Sequence, residues 1–173
     1  MNLPKRGFRK GENILTLTSK YDETLPGLES LYLLGDFGVG NDALTKPVRS
    51  LRFGDWTQQG LPYYAGNLTY MIELPEGTTQ LEIPAWRGVA LAYALDDDKA
   101  FTMLGWPPFT FRTNGAKKVR IKVFGHRRNA MGPFFIKNKW PTWTGPDQFQ
   151  TYETTERGIV PCGILYTPRI CLK

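Results

Sequence analysis

Histidine and cysteine are scarce in this chain of 173 residues, and each scarcity removes a class of chemistry. His126 is the sole histidine. A Ser-His-Asp or Cys-His nucleophile system would have to use it. It follows a basic strand and stands beside Arg127 and Arg128, which offer it no carboxylate partner. Cys162 and Cys171 are the two cysteines, too few for a disulfide framework. Neither has a CxxC partner, so no zinc or other metal site is read, and no cofactor is expected. Both lie in apolar text, VPCGIL and PRICL, and are read as buried free thiols. One bridge between neighbouring strands stays open as an alternative.

Long apolar runs are also lacking, so no membrane contact is expected. The opening MNLPKRGFRK carries charge but no following apolar stretch, so no secretory signal is read. The abrupt start is taken as that of a domain excised from a larger chain. The compartment is left open, a secreted or periplasmic parent included. Helical periodicity is absent: Pro26 and Gly27 interrupt the one stretch that could hold a turn. GDFGVG is not followed by a lysine and a helix, so it is no phosphate loop. Asp96, Asp97 and Asp98 lack EF-hand spacing and read as a solvated hairpin tip. Asp36, Asp55, Glu73, Glu82, Asp147 and Glu153 are the carboxylates weighed as a glycosidase pair; none has a recognisable catalytic setting. Asp36 and Asp55 each follow a glycine and are expected to bind turn amides.

Glycine (18) and proline (13) instead punctuate short runs of two-residue period. The strand candidates are ENILTLTSKY, SLYLLGDF, NLTYMIEL, TQLEIPAW, GVALAYAL, FTFRT, KKVRIKVFG and the closing GIVPCGILYTPRICLK. Asn114-Gly115 marks a turn. About nine strands at this spacing predict an all-β antiparallel sandwich or jelly roll, one domain over residues 1–173. The net charge of +6 could attract nucleic acid. However, Lys118, Arg120 and Lys122 alternate with Val119, Ile121 and Val123, the pattern of a wet sheet face, and no nucleic-acid motif accompanies them. No nucleic-acid partner is therefore expected. Arg127, Arg128 and Asn129 form a polar corner read as loop-tying. The stretch 137–157 has little strand character and reads as a functional or interfacial loop.

What remains is aromatic. Trp56, Tyr63, Tyr64, Trp86, Trp106, Trp140 and Trp143 all lie in or beside expected loops. Sugar C–H faces stack on such rings, and sugar hydroxyls pair with polar side chains. Packing at a core or corner is the competing role, and it is preferred for Trp56, Tyr63 and Trp106. The candidate carbohydrate-binding residues are Trp56, Tyr64, Trp86, Arg87, Trp140 and Trp143. Trp140 and Trp143, in KNKWPTWTGPD, are the pair expected to be exposed.

The segments GDWTQQGLPYYAGNLTYMIELPEG, WRGVALAYALDDDKAFTMLGWPPFTF and VRIKVFGHRRNAMGPFF carry a resemblance. The chain from Leu31 to Pro168 resembles the galactose-binding-like β-sandwich of bacterial glycoside hydrolases. The likeness is to the sugar-binding jelly rolls of family 2 glycosidases and α-L-rhamnosidase-like enzymes. The tip Asp97-Asp98-Lys99 departs from the Asn-Gly-Lys of that pattern. The resemblance implies a non-catalytic carbohydrate-binding or accessory module whose partners are a poly- or oligosaccharide and the catalytic domain of a parent enzyme. The domain itself would not be an enzyme. The rival expectation is a structural interdomain sandwich with no ligand of its own.

Overall fold

The computed structural model describes residues 8–18, 20, 22–24, 31–132 and 157–173. The chain divides into two units, Met1–Gly35 and Asp36–Lys173. The described part of the first unit has no strand or helix. Its local order comes from side chains. Asn13 accepts from the Arg9 N–H and donates to the Arg9 and Gly11 carbonyls, each at 2.9 Å. Asp22 accepts from the Thr24 amide and hydroxyl at 2.8 and 2.7 Å. The strand expected over ENILTLTSKY does not form in its described residues, and Ile14, Leu15 and Leu17 are exposed. The strand expected over SLYLLGDF is likewise absent from 31–37. Alternation alone makes no strand: the backbone also needs a neighbour to take its N–H and C=O groups.

The second unit holds eleven strands among its described residues. These are β1 (Gly38–Gly40), β2 (Ala43–Thr45), β3 (Asn67–Glu73), β4 (Thr78–Glu82), β5 (Trp86–Arg87) and β6 (Ala90–Leu95). They continue with β7 (Thr102–Met103), β8 (Thr110–Arg112), β9 (Lys118–Phe124), β10 (Gly163–Ile164) and β11 (Arg169–Leu172). A 3-10 turn covers Trp56–Gln59, and a single helical turn, α1, covers Arg128–Met131. The strands form a four-stranded sheet ordered β3-β9-β6-β7, a three-stranded sheet β11-β4-β8, and the pairs β1-β2 and β10-β5. Every pairing is antiparallel.

The period of two decides which face is buried. In β9, Val119, Ile121 and Val123 are fully buried, while Lys118, Arg120 and Lys122 point to the other side. Opposite them in register stand Leu95, Tyr93 and Leu91 of β6 and Ile72, Tyr70 and Leu68 of β3. These side chains share one core with Leu81, Ile83 and Phe111 from the region of the three-stranded sheet. Tyr93 and Phe111 stack with centroids 3.8 Å apart, joining the two sheets. The second unit is therefore all-β and sandwich-like among its described residues.

The acidic tip is not wholly solvated, as the sequence had implied. Asp96, at φ 42°, accepts from the Lys117 and Lys118 amides at 2.9 and 3.1 Å. Asp97 pairs with Lys118 at 2.7 Å, and the Asp98 carbonyl accepts from Arg120. Arg120 and Lys122 also lie over the Phe101 ring. The basic strand is thus largely matched by its neighbour loop. Asn114-Gly115 makes the expected turn, both residues at positive φ, but it links β8 in one sheet to β9 in the other.

Candidate functional site

The run from Asp55 to Gly66 first builds a corner. Asp55 caps the 3-10 turn: Oδ1 accepts from the Thr57 N–H at 2.9 Å and Oδ2 from the Thr57 hydroxyl at 2.7 Å. The same Oδ1 takes the Cys162 N–H at 3.0 Å, fastening the turn to the approach to β10. Asp55 thus binds turn amides as expected, whereas Asp36 pairs with Arg49 at 3.0 Å. Gly60 closes the turn at φ 88°, a conformation that glycine reaches without strain.

Trp56 is 1% exposed and belongs to the core. Chain segments pass so close to it that side chains are excluded. A Cβ on Gly125 would stand 2.3 Å from the Gly66 carbonyl oxygen and 3.3 Å from the Trp56 ring. Trp56, one of the candidate sugar-binding residues, is therefore packed into the core in this structure. Tyr64 meets Trp56 edge-on at 6.0 Å and donates its hydroxyl to the Asn67 carbonyl at 3.2 Å. Trp86 packs edge-on against Phe109 at 5.3 Å. Arg87 is exposed; its guanidinium donates to the Trp86 carbonyl, and its own carbonyl accepts the Cys162 thiol at 3.4 Å. Trp140 and Trp143 lie outside the described residues.

The polar corner ties loops. The buried Asn129 donates to the Val160 carbonyl at 2.8 Å and accepts the Val160 N–H at 2.9 Å. Arg128 donates to the Gly158 carbonyl at 2.9 Å. His126 presents two ring nitrogens that are shielded from water and lack a hydrogen-bond partner. Cys162 is a buried free thiol, raised above its usual pKa first by burial. Cys171 is also free but exposed, against the expectation that both are buried.

Beside this corner lies an open cleft of about 480 Å³. Its walls come from the β1-β2 hairpin, the 3-10 turn, Pro62, Tyr63, Arg157 and Ile159. The hairpin turns on two residues, Asn41 and Asp42, since Gly40 pairs with Ala43. Both have positive φ, 49° and 59°, as a two-residue turn between twisted strands requires. Asn and Asp tolerate that region better than other residues with a Cβ. The turn thereby presents the Asn41 amide and the Asp42 carboxylate at the rim. Asp42 Oδ1 accepts from the Arg157 guanidinium, which also sits 5.8 Å from the Tyr63 ring centre. Burial pushes the Tyr63 phenol above its ordinary pKa.

Chemically, this cleft offers an aromatic ring, a carboxylate, a guanidinium and the amides of Asn41 and Gln58. The set suits a polyhydroxyl ligand of modest size. Of the residues selected from the sequence, none of those described lines it. Tyr63 was seen but taken as packing, although the Asn-Asp turn between GVG and ALT was readable as a rim. Arg157 gave no sign, because its partner stands 115 positions earlier. Trp106 also departs from expectation: it is 85% exposed, so it is not core. Among the described residues no group of three or more His, Cys, Asp or Glu could hold a metal. No described helix is long and apolar enough to cross a membrane.

Compared with known proteins, the chain matches no family model, no curated protein and no solved structure.

Proposed function

We propose that this chain is a non-catalytic carbohydrate-binding accessory module with a jelly-roll sandwich, of the galactose-binding-like kind carried by bacterial glycoside hydrolases. The observation that carries the reading is the cleft, where Tyr63 shares a wall with the Asp42–Arg157 pair and two side-chain amides. A sugar ring needs this mixture: an aromatic or apolar surface for its C–H face and fixed donors and acceptors for its hydroxyls. Asp42 is the one carboxylate lining the cleft among the described residues, and it is ion-paired. Hydrolysis by the usual glycosidase route asks for two carboxylates flanking the bond. Binding is what this wall supports.

The test is affinity electrophoresis and a glycan array with the wild type and Tyr63→Ala. The wild type is expected to bind at least one glycan. The variant is expected to lose about 10-fold or more in affinity, consistent with removal of a buried stacking contact, with its melting temperature little changed. Failure of the folded wild type to bind any glycan overturns the reading.

A second reading, a module that packs on the catalytic domain of a parent enzyme, is favoured by a separate observation. Trp106, Val89 and Tyr166 are all strongly exposed in the second unit. Large apolar side chains in that state fit a surface meant for a protein neighbour.

A further inference from the structure

We infer that the cleft selects neutral sugars over acidic ones, with the Asp42–Arg157 pair reading a vicinal diol. This rests on the carbohydrate reading above and specifies its ligand class. The chain as a whole is basic, at +6, and a basic glycan-binding protein would be expected to favour uronates. Among the described residues the cleft does not share that charge. Asp42 and Arg157 are its formally charged lining residues among those described, one of each sign, and they are ion-paired.

A carboxylate joined to a guanidinium sets an acceptor beside a donor. One sugar hydroxyl can donate to Asp42 while its neighbour accepts from Arg157, so adjacent hydroxyls match the pair. Asp42 remains open to such a ligand: its side chain is 72% exposed despite the ion pair. Pro62, Tyr63 and Ile159 supply apolar surface in the same cleft for the C–H face of the ring. A uronate meets a different situation. Its carboxylate must compete with Asp42 for Arg157 and sit close to the Asp42 charge, a like-charge contact that discriminates against it. Asp42 is thus the specificity-determining residue, acting by repulsion as well as by accepting a hydrogen bond.

The test titrates the full chain, by ligand-observed NMR and calorimetry, with the methyl glycosides of galactose, glucose and mannose. Methyl galacturonide and methyl glucuronide serve as the acidic counterparts. Wild type should bind at least one neutral glycoside and prefer it to its uronate by 10-fold or more. Asp42→Asn keeps the size of the side chain and a residue suited to positive φ, but removes the charge. It should weaken the neutral sugar about 10-fold and erase or invert the preference. Tighter uronate binding by wild type, or unchanged neutral-sugar affinity in a folded Asp42→Asn, overturns the inference and leaves the carbohydrate reading standing. No binding of any of the five glycosides, with none on the glycan array, overturns both. The wild-type comparison decides even if the variant does not fold.

Discussion

At the scale of the residue, Asn129 shows how polar atoms hold this molecule together. Its amide copies a strand neighbour, giving to and taking from the backbone of Val160 across 31 positions. Asn129 is 2% exposed, so both partners lose their bonds together if the side chain is cut back. An unmet donor or acceptor away from water costs about 1–3 kcal/mol. Asn129→Ala should therefore lower unfolding stability by about 2–4 kcal/mol. Asn129→Asp should do no better, because it sets an oxygen against the Val160 carbonyl and buries a charge. Urea melts of the three proteins check this, and a loss under about 0.5 kcal/mol for Ala would show that water replaces the amide. The sequence signalled this role through RRN before Gly132, but the partner at Val160 was beyond its reach.

At the scale of the element, strand β3 couples the core to alkaline pH through Tyr70. Its ring stacks on Phe53 at 5.6 Å, and its hydroxyl accepts the Ile164 N–H at 3.3 Å. Burial raises the phenol above its ordinary 10.0, the Ile164 N–H opposes this, and the negative charges of Cys162 and Asp55 add to the rise. Unfolded, the phenol ionises near 10.0; folded, it holds its proton to higher pH. The unfolded state thus binds fewer protons above that point, and stability falls as pH rises. Cys162, shifted upward from 9.0 chiefly by burial, begins the same loss earlier. Stability should be flat below about pH 8 and drop through about pH 9–11, as read from urea midpoints. Tyr70→Phe should start about 1 kcal/mol lower, having lost the acceptor for Ile164, yet show a shallower alkaline slope. An unchanged slope would place the linkage elsewhere.

At the scale of the whole molecule, legibility follows from what a pattern has to touch. β3, β6 and β9 were readable because one face of each meets the core, and burial enforces the period of two. The same alternation in ENILTLT predicted a strand where no partner strand is paired with it. The cleft was illegible because Asp42 and Arg157 come from opposite ends of the sandwich-like unit's sequence. The Trp56 region was legible as important, but its composition could not separate a ligand platform from a packed corner. Only the approaches of Gly66 and Gly125 to the backbone and ring there decide between them.

Every buried or partly buried member of the hydrophobic core described here lies at or beyond Leu51. The large apolar residues described in the first unit, Ile14, Leu15, Leu17 and Leu31 to Leu34 among them, are exposed. Hydrophobic burial is the dominant favourable contribution to folding, so a segment outside the core adds little to it. A chain starting at Asp36 should fold cooperatively, melt within about 3 °C of the full chain, and keep any glycan affinity the proposed reading assigns, because all described cleft residues lie in 36–173. Differential scanning calorimetry and glycan titration of both proteins measure this directly. A drop of about 10 °C or more would mean that the first unit contributes several kcal/mol, and its exposed leucines would then have to be counted as part of the folding unit.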